Sequence, residues 1–153
     1  MLYLVALLGW LVAGCSRPDG PEKARVRIGS NVWTVRLALD EATRHKGLSN
    51  VKDLPEGTGM LFAFPREEVL HFYMRGCYVP LDVAFISSKH QIVHIRTMPV
   101  EPDRDNPKCF YSSKHPCRYA LEVPAGALAR AKVSVGDRVE LLGPAGNASK
   151  DAR

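Results

Sequence analysis

Four side chains have the types and spacing to hold a ligand: Tyr73 and Arg75 in HFYMRG, Asp82 in PLDVAF and Glu122 in ALEV. In an extended strand Tyr73 and Arg75 share one face while Met74 takes the other. If Met74 enters the core, an aromatic ring and a forked guanidinium are left together, a pairing suited to carboxylate, phosphate or sugar. Asp82 follows Pro80 at a strand entrance, where it could pair with Arg75. Glu122 is the second acid expected near the sheet face. The same residues would also serve as an ion-pair and hydrogen-bond cluster pinning loops to the fold. A ligand site requires a concave pocket containing Arg75 and an acid, whereas a structural cluster requires these groups buried, fully paired and without a cavity.

Other chemistry has less support. Cys77 with His71 or His94 and Asp82 has the residue types of an acyl-transfer enzyme, but nothing local marks an activated thiol. The reading leans against catalysis, with a cysteine hydrolase as a distant alternative. His90 and His94 are four apart, yet one falls in a turn and the other in a strand, so the spacing loses its helical meaning. Met60, Met74 and Met98 with Cys77 could attract Cu(I), although methionines at such positions fill cores more often. No metal or cofactor is expected. Gly57 and Gly59 in PEGTGM precede a strand, which makes them a turn and not a phosphate loop.

The elements that must position these groups read mainly as β. VWTVRLAL (32 to 39) is a plausible alternating strand, followed by GMLFAF (59 to 64) stopped by Pro65. LHFYM (70 to 74), LDVAFI (81 to 86), QIVHIRTM (91 to 98), RYALEV (118 to 123) and DRVELL (137 to 142) come next, separated by turn signals such as SSKH and EPDRDNP. VAFI, apolar on both faces, reads as a central strand. Asp40 looks like the N-cap of a short helix, EATRHK, which Gly47 would end. Seven short strands with one or two short helices predict an antiparallel β-sandwich or a partly closed barrel.

The N-terminal stretch bears on location. Leu2 to Ala13 is apolar or glycine throughout, too short for the roughly 20 residues of a membrane-spanning helix, and it ends at Cys15. It reads as a signal-peptide core. Leu11-Val12-Ala13-Gly14-Cys15 resembles a bacterial lipobox, in which the cysteine is acylated and becomes the new N-terminus, although the leading MLY carries no Lys or Arg. Residues 1–14 are then a lipoprotein signal peptide, 15–31 the lipidated cysteine and a flexible tether, 32–142 a single β domain and 143–153 a disordered tail. Ser16 favours the outer membrane, facing the periplasm, in an organism that has one. The formal net charge of +5 suits a domain held near anionic lipid or glycan. With no Lys/Arg stripe and no interleaved aromatic platform, nucleic acid is not an expected partner.

In an exported protein thiols tend to oxidise. Cys109 and Cys117 lie in one loop region beside Pro107 and Pro116, and a bridge between them would close a loop of about 9 residues, worth roughly 2.6 kcal/mol in the chain-entropy model. That pairing is favoured over a bridge from Cys77 to either of them.

GLSNVKDLPEGTGMLFAF, FYMRGCYVPLDVAFI, QIVHI, YALEVPAG and VGDRVELL follow one another in the order and spacing of the uncharacterised bacterial and archaeal family called domain of unknown function 192. The resemblance runs from about Val32 to Leu142 and is most specific at Tyr73-Met74-Arg75 and Pro80-Leu81-Asp82. It implies a compact β domain, often secreted or lipid-anchored, with no established activity. The family commonly has Trp at Tyr73, Asn-Thr at Gly76-Cys77 and Gly-Leu-Met-Arg at Gly47-Leu48-Ser49-Asn50. These departures weaken any shared polar site, and the residue usual at Cys77 implies a small buried side chain there. The function expected is a lipid-anchored envelope β domain that binds a small polar or glycan-like ligand, or an envelope partner, through the Tyr73/Arg75 face. The alternative is a structural accessory lipoprotein without a ligand.

Overall fold

A computed structural model describes residues 23–153. The signal peptide, Cys15 and the first part of the tether lie outside the described residues. The chain is mainly β, with strands β1 (Arg25–Ile28), β2 (Asn31–Ala38), β3 (Thr58–Glu68), β4 (His71–Phe72), β5 (Leu81–Ile86), β6 (Ile92–Met98), β7 (Tyr111–Ser112), β8 (Cys117–Pro124) and β9 (Val139–Leu142). Among the described residues there are also three short helices, α1 (Glu41–Lys46), α2 (Ala127–Arg130) and α3 (Ala148–Asp151), and a 3-10 turn over Gly143–Asn147.

Seven strands form one curled sheet in the order β6-β5-β8-β3-β2-β1-β9, and β4 and β7 form a separate two-stranded sheet. All pairs of the large sheet are antiparallel except β2 with β3. Parallel neighbours need a crossover, and here it carries α1. The two edge strands approach each other at the Gln91 to Arg138 bridge. There the Val139 amide donates to the His90 carbonyl at 2.9 Å and the Ile92 amide to Asp137 at 3.0 Å. The architecture is therefore the partly closed barrel of the two expected forms, a half-barrel made from a single sheet.

Strand alternation divides the apolar side chains between two cores. Val26, Trp33, Leu61, Ala84, Ile86, Ile92, Leu121 and Val139 come from every strand of the large sheet and fill its concave side. Met60, Phe62, Val83, Phe85 and Ala120 cover the other face of β3, β5 and β8, with Leu48, Leu70, Met74 and Cys77 from the loops and Tyr111 of β7 packed onto them. β5 is buried along its whole length, as an apolar run on both faces requires.

Several elements differ from the sequence reading. β1 lies inside the expected tether, its Val26 and Ile28 buried between β2 and β9. β3 does not stop at Pro65; the register shifts between Ala63 and Glu68, the kind of bulge that admits a residue without an amide hydrogen. The expected disordered tail is a 3-10 turn followed by α3, with Ala145 and Ala148 wholly buried against the first core. Small side chains let this backbone lie directly on the barrel. Gly57 sits in a turn at φ +72°, whereas Gly59 is already in β3, where an added Cβ would fall 2.2 Å from the Glu122 carbonyl oxygen. Only glycine permits that approach of β3 to β8.

Candidate functional site

A cavity of about 260 Å³ opens on the outer face of the sheet, between the crossover and the loop after β4. Its base is the sheet itself: Phe62 and Phe64 from β3 and Glu122 from β8. His71, Phe72, Tyr73, Arg75 and Cys77 line a second side, and Glu41, Arg44, His45 and Lys46 of α1 the third.

Local sequence sets α1 in place. Asp40 accepts the Thr43 amide at 2.8 Å while the Thr43 hydroxyl accepts the Asp40 amide at 3.2 Å, a reciprocal cap. These hydrogen bonds hold the Asp40 carboxyl below its ordinary pKa. Gly47 ends the helix at φ +47°. Arg44 lies over the Phe64 ring, 5.1 Å from its centroid, and donates to the carbonyls of Leu39, Ala63 and Arg153. It is therefore committed to the wall.

Tyr73 and Arg75 do not lie on a strand. β4 ends at Phe72, and the chain turns at Gly76 with φ +64°. Met74 is nevertheless fully buried and Arg75 exposed, so the turn produces the division that strand alternation suggested. The turn is anchored by hydrogen bonds from the Ser49 hydroxyl to the Arg75 carbonyl (2.7 Å), the Asn50 amide to the Gly76 carbonyl (2.8 Å) and the Gly76 amide to the Arg104 carbonyl (2.8 Å). Arg75 sits 5.3 Å from the Tyr73 ring centroid, and the Tyr73 hydroxyl meets His45 Nδ1 at 3.3 Å.

Glu122 carries the unusual electrostatics. It pairs with Met60 on one side and Val83 on the other, both in the outer core, and is only 5% exposed. Burial alone pushes its carboxyl pKa to about 8, with no cation or hydrogen bond acting against it. At neutral pH the protonated acid therefore predominates, able both to donate and to accept at the base of the pocket.

Asp82 belongs elsewhere. Its partner in the β5–β8 register is Val123, which faces the concave core, so Asp82 and Glu122 project from opposite faces of the sheet. Asp82 is buried, accepting from the Thr97 hydroxyl at 2.7 Å and the Leu128 amide at 3.3 Å. The suggested Arg75 pairing is not formed. Asp82 instead fastens α2 to the barrel.

The cysteines are also rearranged. Cys77, Cys109 and Cys117 are all free thiols, so the expected Cys109–Cys117 bridge is absent. Cys117 opens β8 inside the outer core, whereas Cys109 lies exposed on its loop. The loop is closed by Glu101, whose carboxylate accepts the amides of Lys108 (2.6 Å) and Cys109 (3.1 Å). Sequence reasoning missed this role, although an acid preceding a Pro/Asp/Asn loop is a signal for such a clamp. Burial, and after it the charge of Glu122, raises the Cys77 thiol to about 12, far from a reactive thiolate. His71 shares its pocket, but Asp82 is across the sheet and His94 stacks on Phe85. The hydrolase triad is not assembled. Sequence reasoning also passed over α1 as a source of site residues, although RHK in its last turn shows that one basic end exists.

The family model described as Uncharacterized ACR, COG1430, the DUF192 family, matches residues 24–141. The chain belongs to this family. As a DUF192 member it is 29% identical over 83 residues to UPF0127 protein PF1050 of Pyrococcus furiosus, a match covering 53% of this chain and 66% of that relative. Among solved structures it is similar to a candidate transcription regulator of Sinorhizobium meliloti 1021, with a TM-score of 0.69, 33% identity, and coverage of 78% of this chain and 92% of that one. A Novosphingobium aromaticivorans DSM 12444 protein of unknown function superposes with a TM-score of 0.67 at 25% identity, covering 77% of this chain and 83% of that one. The family's description assigns it no activity.

Proposed function

We propose that this DUF192 domain is a binding module that receives a small, glycan-like ligand in the pocket between α1 and the Tyr73–Cys77 turn. The observation that carries the reading is Glu122, a carboxyl at the base of the cavity with no hydrogen-bond or ion-pair partner among the described residues. Among the described residues only His94 Nε2 is a buried side-chain atom without a partner, so the Glu122 oxygens reach the cavity, where a ligand hydroxyl can hydrogen-bond them. Phe62, Phe72 and Tyr73 add apolar ring surface for the face of a sugar. Titrating the full chain with neutral and acidic monosaccharides at millimolar concentration should move the amide resonances of Phe72, Tyr73 and Glu122. Silence from every sugar overturns the reading.

The reading includes an envelope location, with a lipid on Cys15 as the membrane partner. It is supported by the apolar run and the small residues before that cysteine. Palmitate labelling should mark the protein and vanish in Cys15→Ala. An envelope protein partner is the second use of the same face. It is favoured by Phe110, which is 69% exposed and packs edge-on against Tyr73 with centroids 6.1 Å apart. The diffuse positive charge does not support carrying over the regulatory role in the Sinorhizobium relative's name.

A further inference from the structure

The polar groups of the pocket fall into two poles that do not meet. Glu122 lies on the sheet at the base, and none of the rim cations contributes to its environment strongly enough to offset its burial. Arg44 is used up on three backbone carbonyls. Arg75 and Lys46 form no ion pair among the described residues. Among the described residues Glu41 is the only other acid lining the cavity, and it is exposed on the first turn of α1. Between the poles the lining is largely aromatic: Phe62, Phe64, Phe72 and Tyr73.

We propose that the pocket selects acidic monosaccharides, with the sugar ring on the aromatic wall, a ring hydroxyl on the Glu122 carboxyl, and the sugar's carboxylate or phosphate on Arg75 with Lys46 beside it. This rests on the binding reading above and narrows it to one ligand class. A fork of guanidinium donors matches a carboxylate or a phosphate equally, and its hydrogen bonds to an anion are stronger than those between neutral groups. A neutral sugar offers the mouth cations only hydroxyl acceptors, weaker partners for a guanidinium than a carboxylate or phosphate. A simple anion lacks the ring and hydroxyl that the base requires.

The test is calorimetric titration of the full chain with glucuronate, glucose 6-phosphate, glucose and acetate. At least one acidic sugar should bind about tenfold or more tighter than glucose, and acetate should not compete. Arg75→Met should reduce that ligand to the affinity of glucose, and raising the salt concentration should weaken it while leaving glucose unaffected. Lys46→Met provides a second variant should Arg75→Met disturb the turn. If glucose binds as tightly as both acidic sugars, or if neither rim variant changes the preference, the class assignment is overturned while the binding reading survives. If no sugar binds, both fall.

Discussion

Glu122 is a residue whose protonation can be followed through stability. Its folded pKa of about 8 stands above the ordinary 4.5. Between those values the folded chain keeps a proton that the unfolded chain has released. Stability contributed by this group is therefore fully present below about pH 4.5, falls as pH rises through the window, and stops falling above about 8. At about 1.4 kcal/mol per unit, the whole change is on the order of 5 kcal/mol. Glu122→Gln stays neutral throughout. Its melting temperature should gain on the parent from pH 5 to pH 8 and run parallel to it beyond. Glu41, His45, His71 and Cys77 remain in both proteins, so the difference isolates one carboxyl; a gap independent of pH contradicts the assignment. Cys77 offers a second residue-scale test. With its thiol held near pKa 12, native alkylation at pH 8 should modify exposed Cys109 far sooner than Cys77, as peptide mapping would show.

At the scale of elements, the loop from Glu101 to Cys109 depends on one carboxylate where a disulfide was expected. Glu101→Ala removes the acceptor of two part-buried amides, at a cost of about 1 to 3 kcal/mol. Hydrogen exchange at Lys108 and Cys109 should accelerate in that variant. Adding a reductant to the parent should leave its melting temperature unchanged, and a drop would mean that a bridge forms in solution. Local signals explain which elements could be read in advance. α1 was legible because Asp40, Thr43 and Gly47 define its ends within the helix itself. β5 was legible because it is apolar on both faces, yet that same feature concealed parity: with Val83 and Phe85 facing one core and Ala84 and Ile86 the other, nothing in LDVAFI told which side Asp82 would join. Of the four side chains singled out, Tyr73, Arg75 and Glu122 line one cavity, while Asp82 faces the opposite core. β1 was harder to read, since RVRI is only four residues long and, beside its hairpin partner β2, its second neighbour β9 lies more than a hundred residues later.

For the whole molecule, the decisive connection is the tail, because it links the barrel to the pocket. Ala145 and Ala148 are buried against the concave core, and the Arg153 amide donates to the Leu39 carbonyl at 2.9 Å. Arg44 then gathers the end of β2 through Leu39, β3 through Ala63 and the tail through Arg153. The guanidinium that forms a wall of the pocket is thus held by residues far apart in sequence. Removing residues 143–153 should uncover apolar surface on the barrel and release one of Arg44's carbonyl acceptors. A disordered tail could be deleted without consequence, but this docked one should lower the melting temperature by on the order of 5 °C. It should also shift the amide resonances of Glu41 to Lys46, although no residue of the tail lines the cavity. Sugar affinity measured on the same truncated chain then separates two roles. If the shifts appear and affinity falls, the tail sets the position of α1 at the pocket; if the melting temperature falls with α1 unmoved, the tail serves the barrel alone and Arg44 holds the wall through Leu39 and Ala63.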